Sequence, residues 1–255
     1  MTRTALTLAL SLVIIYGVLC IALYLFQRSL IYFPPPGKDS NDANTINLAV
    51  DGINLKISTL QRHNAGAVIY FGGNAEDVSL SIPELSSAFP DKAIYAMHYR
   101  GFGGSEGDPT EEALVKDAFS LFEHIKSNHD NIIVIGRSLG SGIATQLASK
   151  RQVRRLILIT PYDSIQNIAA SRFPFFPVRL LLKDKFESWK YAEKISAPTT
   201  IITAEFDDVI PLENSKKLLA SFPQGIAKLV VVSNTGHNSI STTPEYIHVL
   251  RNQEN

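Results

Sequence analysis

Cysteine is almost missing from this chain of 255 residues: Cys20 stands alone. A single thiol closes no disulfide within the chain and builds no thiolate metal site, which excludes a disulfide scaffold and a zinc ribbon. Net charge is absent as well, with 24 basic residues against 24 acidic ones and no clustering of the basic ones. A polyanionic partner is therefore not encoded, and no nucleic acid is expected as ligand. Internal repeats and low-complexity tracts are lacking, which sets aside solenoids and disordered arrays. A phosphate-binding loop is missing too. In Arg100-Gly101-Phe102-Gly103-Gly104-Ser105-Glu106-Gly107 a glutamate stands where the third glycine of G-x-G-x-x-G belongs, and no P-loop lysine is present.

What is present starts with an apolar run over 5–26 that no charge interrupts. About 22 residues of this kind cross a hydrocarbon core of roughly 30 Å. The run continues past every small residue at which a signal peptide could be cut, and bulky Leu19 before Cys20 fits lipoprotein processing badly. The expected organisation is a short tail over 1–4, a single uncleaved transmembrane anchor over 5–26, and a segment over 27–44 outside the globular domain. In that last segment Arg28, Tyr32 and Phe33 are placed to sit among lipid headgroups, and Pro34-Pro35-Pro36-Gly37 forms a stiff spacer. Arg3 before the span and Arg28 and Lys38 after it nearly balance. The short tail tips the expectation towards a membrane protein with its domain on the exported side.

From 45 to 255 the pattern is that of one large domain, long enough to bury its own core. Strand-like runs at 67–71, 93–98, 132–135, 156–160, 200–204 and 228–233 alternate with helix-like runs at 79–89, 111–126, 138–150 and 212–222. In the second helix Leu114, Ala118, Leu121, Phe122 and Ile125 share one face, and Thr110 is placed to cap it. Such alternation predicts an α/β fold with a mostly parallel central sheet flanked by helices. The stretch 164–195, with Phe173-Pro174-Phe175-Phe176-Pro177 and Leu180-Leu181-Leu182, breaks the rhythm. It follows a strand end, where such sheets place ligand loops, and reads as a small lid.

The chemistry centres on Gly136-Arg137-Ser138-Leu139-Gly140, set between a strand run and a helix run. G-x-S-x-G in that context is a nucleophile elbow, which makes Ser138 a candidate nucleophile. A serine needs a base and a group that orients the base. Asp207 lies in the loop after the 200–204 strand and His237 in the loop after the last strand, the chain order that this fold requires. Glu205, Asp208 and Asp163 compete with Asp207, and Ser105 is a rival nucleophile without an elbow. An oxyanion needs backbone donors, and the N–H groups of Leu139 and Asn74 are placed to serve. No cofactor and no metal are called for.

With these segments in place, the chain resembles the α/β-hydrolase superfamily. It is most similar to small single-pass membrane hydrolases that include protein-depalmitoylating enzymes and their bacterial relatives. The resemblance covers roughly residues 25 to 250 and rests on Gln27-Arg28-Ser29-Leu30-Ile31-Tyr32-Phe33-Pro34, Gly73-Asn74-Ala75, Tyr99-Arg100-Gly101-Phe102-Gly103, the elbow, Asp207-Asp208-Val209-Ile210-Pro211 and Gly236-His237. It implies a serine hydrolase acting on a small-molecule or lipid-like acyl ester or thioester. A peptidase or acyl-peptide hydrolase is the alternative enzyme, and a non-catalytic binding protein the alternative class. One departure stands out: where the family usually has His-Gly-Asn at the oxyanion loop, Gly72 replaces the histidine. The resemblance thus implies a loop short of one buttress but with its donors kept. Neither acyl chain length nor oligomeric state is encoded legibly.

Overall fold

The computed structural model describes residues 3–35, 44–62 and 66–251. The proposed spacer from Pro36 onward therefore lies outside the described residues, as do the first two and last four positions.

Eight strands form one sheet: β1 (Thr45–Val50), β2 (Ile53–Leu60), β3 (Ala67–Phe71), β4 (Ala93–Met97), β5 (Ile132–Arg137), β6 (Arg155–Ile159), β7 (Thr199–Ala204) and β8 (Ala227–Val232). Their order is β1-β2-β4-β3-β5-β6-β7-β8. β2 pairs antiparallel with both of its neighbours, and every other pairing is parallel. The central strands are apolar along their whole length because both faces are covered. In β3, Ile69 and Phe71 enter one core while Val68 and Tyr70 enter the other.

Helices α2 (Ile82–Ala88), α3 (Glu111–Lys126), α4 (Leu139–Ala148), α8 (Leu212–Leu219) and α9 (Pro244–Arg251) flank the sheet. α3 matches its expected bounds, and Thr110 caps it by accepting from the Ala113 N–H. The stretch 164–195 carries three short helices, α5 (Ile165–Arg172), α6 (Val178–Leu181) and α7 (Trp189–Ala192). The 45–60 hairpin was not expected from the sequence. It turns at Asp51 and Gly52, whose φ values of 51° and 80° are those of a tight hairpin turn.

The topology fixes where a site can form. Strand order reverses at β3, which has β4 on one side and β5 on the other. The loops leaving the carboxyl ends of β3 and β5 therefore part company there and open a crevice. Phe71 pairs with Gly136, so the two loops start side by side.

The N-terminal helix α1 (Arg3–Ile31) covers the expected span and part of the segment after it. It runs on without a break from residue 26 to Ile31, and its last turns are packed against the domain. Gln27 is buried, and its side chain donates to the Leu181 carbonyl (3.0 Å) and accepts from the Lys183 N–H (2.6 Å). Arg28 pairs with Asp184 at 3.1 Å, and the buried Tyr32 hydroxyl donates to the same carboxylate. The helix is long and apolar enough to cross a membrane, as a signal sequence near an N-terminus would also be.

Candidate active site

Ser138 sits at the junction of β5 and α4 with φ 47° and ψ −115°, a conformation that a side chain adopts only under constraint. The constraint is local packing. A Cβ on Gly136 would lie 2.5 Å from the Gly140 carbonyl oxygen and 2.6 Å from the Ala144 methyl, and one on Gly140 would collide with the Phe71 carbonyl. The two glycines thus let α4 press against β3 and β5, while the Ser138 N–H donates to the Ile159 carbonyl at 2.9 Å. The result is a hydroxyl lifted out of the sheet.

His237 reaches this hydroxyl. Its Nε2 lies 3.0 Å from Ser138 Oγ, and its Nδ1 lies 2.8 Å from Asp207 Oδ2. Asp207 is held in turn: its Oδ1 accepts from the Val209 and Ile210 N–H groups at 2.9 and 2.7 Å. The competing carboxylates are placed elsewhere. Glu205 accepts from the Asn234 N–H, Asp208 is exposed, and the buried Asp163 accepts from the Asn167 and Asn214 amides. Ser105 is buried and donates to the His98 carbonyl, tying the 100–107 loop to β4. The structure therefore brings together the three residues that the sequence singled out.

The Asn74 loop stands opposite the elbow. The Gly140 N–H donates to the Gly72 carbonyl at 3.2 Å, and the Tyr99 hydroxyl donates to the same oxygen at 2.7 Å. Burial, reinforced by the charge of Glu76, pushes the Tyr99 phenol well above its ordinary pKa and keeps it a donor. Glu76 accepts from the Gly73 N–H (2.6 Å), the Tyr70 hydroxyl (2.6 Å), Ser81 and Arg137 (3.2 Å). Arg137 continues to the His237 carbonyl at 3.5 Å. Among the described residues neither the Asn74 nor the Leu139 N–H has a protein acceptor, which leaves both free for a substrate oxygen.

Gly72 has a spatial reason. A Cβ there would lie 2.5 Å from Val78 Cγ1 and 3.1 Å from the Glu76 carboxyl carbon, so a histidine does not fit. Glu76 fills the space and supplies the buttress. No local pattern announces this, because Glu76 and Arg137 are 61 residues apart. The Asn74 side chain was also missed. It donates to the Ile31 carbonyl (2.7 Å) and accepts from the Phe33 N–H (2.9 Å), clasping the end of α1.

A cavity of about 360 Å³ opens over Ser138, within the range usual for small-molecule sites. Its wall is mainly apolar, drawn from α1 (Leu23, Leu30, Ile31) and from the 164–195 stretch (Ile168, Phe176, Leu181), with Gln27, Asn74 and Arg172 as polar points. Among the described residues no group of three His, Cys, Asp or Glu side chains is arranged to hold a metal.

Comparison with known proteins agrees with the fold. A family model described as "Serine aminopeptidase, S33" matches residues 88–186. An uncharacterized protein of Mycobacterium tuberculosis (strain H37Rv) is 32% identical over 228 residues, 83% of this chain and 80% of that one. The α/β-hydrolase domain-containing protein aho-3 of Caenorhabditis elegans is 28% identical over 162 residues, 62% of this chain and 47% of its own length. An esterase of Pyrococcus furiosus superposes with a TM-score of 0.69 over 86% of this chain and 97% of its own, a likeness of fold at 18% identity. With the sheet order, the elbow and these relatives in agreement, the chain belongs to the α/β-hydrolase superfamily.

Proposed function

We propose that the chain is a membrane-anchored serine hydrolase that cleaves acyl esters or thioesters through a Ser138-His237-Asp207 triad. The observation that carries this reading is the unbroken line from the strained Ser138 through His237 to Asp207, at 3.0 and 2.8 Å. Ser138 Oγ attacks the acyl carbonyl while His237 Nε2 takes its proton, and Asp207 holds Nδ1–H and offsets the imidazolium charge. The oxyanion is received by the N–H groups of Asn74 and Leu139. His237 then returns the proton to the leaving alcohol or thiol, and a water activated by the same histidine releases the acid from Ser138. Domain organisation follows: α1 is the single-pass anchor, and 45–255 is the catalytic domain under the 164–195 lid.

The family model's description favours a second reading, an aminopeptidase. Such an enzyme needs a carboxylate to hold the free amine of its substrate, and among the described residues no acidic one lines the cavity. The apolar wall instead fits an acyl chain.

Labelling by a fluorophosphonate in detergent tests the proposal. The wild type should react, and Ser138→Ala should lose labelling together with ester hydrolysis, by about 10⁴-fold or more. A folded wild type that resists the probe would leave a binding protein on a hydrolase fold.

A further inference from the structure

The 173–182 segment runs along α1, and its partners change with depth. At the level of Gln27 and Arg28 the contacts are polar: Asp184 pairs with Arg28, and the Lys183 ammonium lies 4.1 Å from the Tyr24 ring centre. At the far end Phe176 stacks on Tyr16 with ring centres 5.7 Å apart, and the Tyr16 hydroxyl donates to the Phe175 carbonyl. Tyr16 lies about three helical turns, roughly 16 Å, before Gln27. That is about half of a hydrocarbon core of roughly 30 Å.

Between those levels the segment exposes what a water-soluble loop would hide. Phe175 is 85% exposed and Leu180 84%, with Phe173 also partly bare. Arg179 is its one charged residue and is exposed; its length lets the guanidinium reach up to lipid phosphates. Most large apolar side chains of α1 from Leu6 to Phe26 are exposed as well. The two bare surfaces adjoin, so whatever solvates one solvates the other.

We infer that segment 173–182 is a second membrane-inserted element, one leaflet deep, and that the cavity opens between it and α1 into the hydrocarbon of that leaflet. This rests on the proposed reading of α1 as a membrane span. It deepens the substrate assignment: the acyl chain arrives sideways from the bilayer and never crosses water. Its headgroup stays at the level of Gln27 and Asn74, where the polar points of the cavity lie.

The test uses full-length protein carrying Cys20→Ala, with one cysteine introduced by Phe175→Cys, Leu180→Cys, Leu12→Cys or Asp91→Cys. Each is labelled with an environment-sensitive fluorophore and reconstituted into phosphatidylcholine vesicles. Asp91 precedes β4, at the pole of the sheet opposite the site, and serves as the aqueous reference. Labels at 175 and 180 should be quenched roughly twofold or more by nitroxides on the acyl chains and little by aqueous iodide, the reverse of position 91. Iodide quenching at 175 and 180 would overturn the inference. So would shielding from both quenchers, which would mean that a second copy covers the segment. A label at Leu12 that escapes the chain nitroxides would overturn the anchor reading and this inference with it. None of these readings depends on Ser138, so a failed triad and a failed insertion are told apart. For the working enzyme, Phe175→Asp should cut hydrolysis of a long-chain ester in vesicles about tenfold and leave a soluble short-chain ester unchanged.

Discussion

The two ends of α1 are made from the same apolar alphabet and live in different surroundings. From Leu6 to Leu19 the side chains are bare except Tyr16, which meets Phe175 and Phe176, and the polar Thr7 and Ser11 hydroxyls fold back onto the helix's own carbonyls. From Leu23 onward the helix is bonded on one flank to the lid through Gln27 and Arg28 and, just past its end, to the oxyanion loop through Asn74. Hydropathy measures how gladly a segment leaves water. It does not say whether lipid or protein receives it. A few polar side chains near the end of the helix decide that.

The largest effect should come where the protein-bound end meets the chemistry. Asn74→Ala keeps the backbone N–H but releases its loop from α1, so kcat on a soluble short-chain ester in detergent should fall about 10- to 100-fold with KM nearly unchanged. Asn74→Asp should do the same, because its carboxylate faces the Ile31 carbonyl and cannot donate to it. Wild-type kcat in both variants would mean that the clasp holds the helix without serving the site. Next comes Gln27→Leu, which leaves the part-buried Lys183 N–H and Leu181 carbonyl without their partner. A stability loss of about 1–3 kcal/mol is expected, read from thermal denaturation in micelles.

A smaller effect follows pH. Burial lowers the pKa of His98 in the folded domain, with Asp77 opposing it only partly. The unfolded chain therefore binds a proton below pH 6.5 that the folded one refuses, and stability should decline as pH falls through that value. His98→Gln should remove that part of the slope in denaturation midpoints measured from pH 7.5 to 5.5. The smallest effect belongs to the bare end: Leu12→Ala should shift stability in detergent by no more than about 0.5 kcal/mol. A larger loss there would erase the distinction between the two ends.

How far the sequence could be read follows the same division between local and distant causes. The strands from Ala67 on, helix α3 and the elbow announce themselves through runs and spacings within a few residues. Ser138, Asp207 and His237 could be picked out because the fold places them at strand ends in a fixed order. The 45–60 hairpin is hard to read although Asp51-Gly52 is a hairpin signal, since Asn47, Asn54, Lys56 and Ser58 dilute its apolar pattern. The Glu76–Arg137 buttress and the Asn74 clasp had no local signature at all. Each joins groups at least 41 residues apart, and only the finished topology brings them together.

The Arg28–Asp184 pair spans 156 residues, and a ribosome working at roughly 5–20 residues per second needs about 8–30 s to make that interval. The Asn74 loop is made within the first third of that interval, but for all of it the end of α1 exists without the part of the lid that will hold it. The wall of the cavity is thus the first part of the pocket to be made, and the rest of the enzyme is built onto it. An inhibitor or chaperone that held α1 during those seconds would meet an acyl site with one side finished and no catalyst in it.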